Sequence, residues 1–100
     1  MTSPKPLQAD HVEAHTGSSY PEPFRSRMGQ ASWRALGDAF GLTQYGVNLE
    51  TLQPGAQSAL RHWHTLSDEF VYLLDGELVL RTNEGETTIA SGSCVGFKAG

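Results

Sequence analysis

His62 and His64 stand one residue apart, and Glu69 follows five residues after the second of them. On a β-strand successive side chains leave from opposite faces. In Leu60-Arg61-His62-Trp63-His64 both imidazoles therefore share a face with Leu60, while Arg61 and Trp63 take the other. Cα atoms two positions apart on a strand are about 6.6 Å from one another, yet bonds of about 2.0–2.1 Å to a shared cation require the ring nitrogens to converge. A divalent ion gives two neutral imidazoles a reason to converge, and the Glu69 carboxylate completes a two-histidine, one-carboxylate donor set. A partly buried histidine–glutamate ion pair is the plainer use of the same residues, since a carboxylate nearby favours the charged imidazole.

The elements that must carry these groups read as β throughout the second half of the chain. In Gln44–Leu52, Tyr45, Val47, Leu49 and Thr51 alternate with Gln44, Gly46, Asn48 and Glu50, the pattern of a half-buried strand, and Pro54-Gly55 turns the chain. Leu60–His64 is the expected ligand strand, and Glu69–Leu74 follows it. Asp75-Gly76 predicts a two-residue hairpin into Glu77–Arg81. Asn83-Glu84-Gly85 predicts a further turn into Glu86–Ala90, and Ser91-Gly92 leads to Ser93–Phe97. Six short strands with turn chemistry between them and no long helix predict an all-β sandwich or barrel. Glu69–Leu74 is apolar on both faces: one lines the interior with Glu69, while Phe70, Tyr72 and Leu74 on the other need a cover, either from within the domain or from a second copy in a homodimer. Asp68 falls on the face opposite Glu69 and is the weaker ligand candidate.

The stretch from Pro54 to Gly76 resembles the first motif of the cupin superfamily, G-x(5)-H-x-H-x(3,4)-E-x(6)-G, on Gly55, His62, His64, Glu69 and Gly76. Six residues rather than five separate Gly55 from His62, an excess that falls in a turn, where insertions cost least. Gly92-Ser93-Cys94-Val95-Gly96-Phe97-Lys98-Ala99-Gly100 resembles the opening of the second cupin motif, with Lys98 in place of a proline. The resemblance implies a double-stranded β-helix, the jelly-roll barrel, with His62, His64 and Glu69 as ligands to zinc, manganese, nickel or iron. It also implies a fourth ligand, a histidine three positions past the glycine that Gly100 matches, so the expectation is a longer protein whose barrel continues. Tyr20–Arg27 and Arg34–Asp38 are similar to the N-terminal segment of small bacterial cupins described as sugar-phosphate isomerases. There Arg25, Arg27 and Arg34 are candidates to meet a phosphate or carboxylate through forked hydrogen bonds.

Composition narrows the function classes. One hundred residues suit a single domain, divided here into an extended arm over 1–30, where four of the five prolines lie at positions 4, 6, 21 and 23, and a barrel domain over 31–100. In Asp10–His15 one helical turn would put His11 and His15 on one face, but a short polar turn reads as solvated. A net charge of −4 with seven dispersed basic residues argues against nucleic acid as a partner, and no apolar run is long enough to cross a membrane. The single cysteine, Cys94, allows no internal disulfide and reads as a small buried residue of its strand. Without a targeting segment the expected compartment is the cytoplasm.

The expected activity is that of a divalent-metal cupin acting on a small polar molecule. A metal-dependent isomerase or epimerase of a sugar-like substrate comes first, a non-haem iron dioxygenase is the enzymatic rival, and a non-catalytic binding or sensory module is the third class. No general base is legible in the sequence. If His62 and His64 are ligands, replacing either with alanine lowers metal content sharply in protein purified without added metal, because each lost donor removes binding energy; elemental analysis showing full occupancy in both variants would exclude them.

Overall fold

The computed structural model describes residues 3–16, 22–23, 29–57 and 67–100. Among these lie strands β1 (Ala14–Thr16), β2 (Ala31–Ala35), β3 (Asn48–Leu52), β4 (Glu69–Tyr72), β5 (Glu77–Thr82), β6 (Gly85–Ala90) and β7 (Cys94–Phe97), with single 3-10 turns at Ala9–His11 and Asp38–Phe40. The expected ligand strand Leu60–His64 lies outside the described residues. The chain divides into two compact units, Met1–Leu60 and Arg61–Gly100.

In the first unit β1, β2 and β3 form an antiparallel sheet in that order. β2 is central, so both of its edges are bonded and all five of its residues are half-buried, whereas β1 at the edge is exposed throughout. Trp33 is the cross-strand neighbour of His15, and their rings lie 5.6 Å apart between centroids, within the range in which facing side chains stabilise a ladder. Part of the segment expected as an extended arm is thus a sheet strand. The helical turn over Asp10–His15 does not form: the 3-10 turn ends at His11 and β1 starts at Ala14, so the two histidines sit on different elements. Arg34 holds this arrangement, its Nη1 donating to the carbonyl of Asp10 at 3.1 Å and to that of Val12.

β3 is shorter than the alternation over Gln44–Leu52 predicts. The Gly37 N–H donates to Val47 O at 3.0 Å and the Leu42 N–H to Gly37 O at 3.1 Å. The backbone ahead of β3 is thereby folded into a loop rather than a ladder, and Tyr45 is 67% exposed. After β3 the expected turn is present: the Ala56 N–H donates to Gln53 O at 2.9 Å, with Pro54 and Gly55 at the two central positions and Gly55 at φ 86°, as a type II turn demands. Against this turn packs Gly29, at φ 71°, where a Cβ would come within 2.8 Å of Ala56 Cα.

The second unit is a nested antiparallel arrangement. β5 and β6 form the inner hairpin, with Thr82 opposite Gly85 and Asn83-Glu84 as its two-residue loop; β4 pairs with β7 outside it, Glu69 opposite Phe97 and Tyr72 opposite Cys94. The Asp75-Gly76 hairpin between β4 and β5 is therefore not found. β4 takes its bonds from β7, and Gly76, at φ 85°, uses its left-handed freedom to turn a corner instead. At that corner four residues, 73–76, run opposite three, 91–93. Two bonds tie it, from Leu73 N to Ser93 O at 2.9 Å and from Gly92 N to Leu73 O at 2.8 Å. Leu73 is the buried hydrophobic residue among those described, while Leu78, Leu80, Ile89 and Val95 are half-buried. Arg81 and Glu86, directly opposed on β5 and β6, meet at 2.9 Å, an exposed pair that fixes register more than it stabilises. Cys94 is exposed rather than buried. Paired residues in a ladder project to the same side, and its partner Tyr72 faces outward with Phe70.

Two substitutions test this packing. Gly29→Ala forces an L side chain into a left-handed backbone and against Ala56, and lowers the free energy of urea unfolding by about 1–2 kcal/mol from the backbone alone; an unchanged midpoint would show that the turn yields freely. Arg34→Ala removes both donors to the 10–12 segment, costs about 1 kcal/mol and speeds amide exchange in β1 more than in β6.

Candidate metal centre

Glu69 is the first residue of β4 and lies directly opposite Phe97, the last of β7. Alternation along the strand places Glu69 with Val71 and Leu73 and sends Phe70, Tyr72 and Leu74 the other way. Of the first set only Leu73 is buried, at 9% exposed, while Val71 is 38% exposed, against 69% for Phe70, 54% for Tyr72 and 67% for Leu74. By parity Glu69 shares a face with Leu73, the buried hydrophobic residue among those described, but Glu69 itself is exposed at the end of the strand. His62 and His64 lie outside the described residues, as do Arg25 and Arg27. Among the described residues no group of three His, Cys, Asp or Glu side chains is arranged to hold a metal ion, so of the expected donor set only Glu69 is placed here.

Arg34, the remaining candidate for meeting an anion, is engaged by backbone carbonyls of the first unit. Because a guanidinium carries five donors, two bonds do not exhaust it, but they direct its fork toward the 3-10 turn. His11 and His15 line an open cleft of about 370 Å³ in that unit, together with Glu13 and Asp38. The cleft is walled by Leu7, Val12 and alanines.

Asp68 has a role that spacing alone did not reveal. Its Oδ1 accepts the Ala99 N–H at 2.8 Å and its Oδ2 lies 3.7 Å from Lys98 Nζ. The residue next to the candidate ligand is thereby joined to the backbone just past β7. A signal was present in the sequence only as an acidic residue at the mouth of a strand, and its partner lies 31 positions away.

No helix among the described residues is long and apolar enough to cross a membrane. The cupin domain family matches residues 48–100. The crystal structure of a sugar phosphate isomerase from a cupin superfamily of Silicibacter pomeroyi DSS-3 superposes with a TM-score of 0.90 at 47% sequence identity, over 97% of this chain and 61% of that one. This chain therefore spans about three fifths of the length of that relative. A comparison with curated proteins gave no match. The matched profile covers Glu69, Gly76 and the whole β4–β7 ladder, and the matched structure extends over both units, so the chain belongs to the cupin family and has its all-β jelly-roll fold.

Proposed function

We infer that this protein is a divalent-metal-dependent isomerase or epimerase of a small sugar-like substrate, with His62, His64 and Glu69 as the metal ligands. The observation that carries the reading is the 47% identity to a cupin described as a sugar phosphate isomerase, taken with the first cupin motif complete on this chain's own residues. The donor chemistry fits a divalent ion: two neutral imidazoles and one carboxylate suit zinc, manganese, nickel or iron alike. Glu69 begins β4 on the side of Val71 and Leu73, with its carboxylate accessible at the open end of the ladder.

In this scheme His62 and His64 hold the ion through ring nitrogens, and Glu69 adds a hard oxygen donor whose charge partly neutralises it. Bound there, a divalent ion polarises a substrate carbonyl or hydroxyl.

The test is to follow interconversion of aldose and ketose phosphates by the purified protein, with metal content measured in parallel. Turnover that is abolished by a chelator, restored by a divalent ion and reduced at least 100-fold in His64→Ala fits the reading, since a lost donor removes both occupancy and charge stabilisation. Bound iron with substrate-dependent oxygen uptake and no isomerisation replaces it with a dioxygenase. Saturable sugar-phosphate binding without turnover replaces it with a binding module.

A further inference from the structure

Glu69 stands at the end of a ladder, a position where strand pairs fray. The rung that pairs it with Phe97 is the outermost of the four between β4 and β7. Continuing the register by one step sets Asp68 against Lys98, and by two sets Ser67 against Ala99. Neither pair belongs to a strand. The Asp68 side chain takes over where the backbone ladder stops: Oδ1 accepts the Ala99 N–H at 2.8 Å, a bond made stronger by the charge of the acceptor, and Oδ2 sits 3.7 Å from Lys98 Nζ. The ion pair is open to solvent on both partners and contributes little by itself. The bond to the main chain is the one that restrains the strand end.

We propose that Asp68 is a positioning residue for the metal centre: by accepting the Ala99 N–H it clamps the backbone immediately before β4 to the segment after β7 and so fixes the direction of the neighbouring Glu69 carboxylate. This rests on the assignment of Glu69 as a ligand. A ligand held in one orientation loses less freedom on binding than one on a frayed end, and groups that orient a ligand are typically worth 10–100-fold in metal affinity. The same bond sets the exit of the chain at Ala99-Gly100.

The experiment titrates Zn²⁺ into the full-length metal-free protein and the variants Glu69→Gln, Asp68→Ala, Asp68→Asn and Lys98→Gln by calorimetry, with exchange of the Ala99 amide followed by NMR. Asparagine retains an oxygen acceptor where alanine has none. The expected result is affinity about tenfold weaker in Asp68→Ala, with fast Ala99 exchange. Asp68→Asn and Lys98→Gln stay within about twofold of the parent with Ala99 protected, on the same principle. Glu69→Gln separates the two levels of the argument. If it binds Zn²⁺ as tightly as the parent, Glu69 is not a ligand and both readings fall. If it weakens binding while Asp68→Ala does not, the ligand stands and the positioning role is wrong. Equal losses in Asp68→Ala and Asp68→Asn also overturn the proposal, because they assign the effect to charge and not to the clamp. Thermal melting of each metal-free variant identifies any that fail to fold, and Asp68→Asn then decides alone: lost affinity in a folded Asp68→Asn with Ala99 protected refutes the proposal.

Discussion

The pairing of β4 with β7 is the constraint on which the candidate centre depends. It joins residues 69 and 97, far apart in the chain, and closing such a loop between flexible ends is entropically costly. The inner hairpin reduces that cost. Once Thr82 and Gly85 are joined across Asn83-Glu84, the β5–β6 ladder extends to Glu77 and Ala90, leaving only the short corner to be ordered before Tyr72 meets Cys94. With the hairpin in place the loop between Tyr72 and Cys94 is short, and Glu69 lies at the end of the β4–β7 ladder farthest from it.

Having been placed there, β4 divides its side chains sharply. Glu69, Val71 and Leu73 share one face, and Phe70, Tyr72 and Leu74 the other. On the first face the exposed Glu69 stands at the open end of the ladder and the buried Leu73 at the corner end, so the carboxylate keeps its access to solvent while the apolar side chain is covered. On the second face the aromatic residues continue onto β7 only as Cys94 and Gly96, small side chains that leave Phe70 and Tyr72 standing proud.

What could be read in advance follows from how far each signal reaches. The apolar run Leu78-Val79-Leu80 between Glu77 and Arg81, and the turn residues around Gly85 and Gly92, are local and identify β5, β6 and β7 to within a residue. Asp75-Gly76 is an equally local signal and misled, because a turn dipeptide specifies a change of direction and not which strand supplies the hydrogen bonds. β1 and β2 were missed for a related reason. Ala31-Ser32-Trp33-Arg34-Ala35 does alternate apolar with polar residues, but it is short and its alanines have low strand propensity, and its central place comes from being bonded along both edges, which no window of sequence contains. The ligand pattern was legible because cupin spacing is compressed into Gly55–Gly76, and the face of Glu69 followed from parity along one strand. Asp68 was not legible as a partner of Ala99, since that contact exists only once the β4–β7 register is set.

The unequal corner between the two ladders of the second unit makes length, more than composition, the quantity conserved by the physics there. With 73–76 set against 91–93, β5 enters its ladder one step out of phase with β4. A single deletion on the longer arm would bring the two into phase and swap the sides on which Leu78 and Leu80 project. Side chains at Leu74 or Asp75 can vary at small cost, but an indel would turn the inner hairpin inside out, so the corner is a hidden reading frame for the unit.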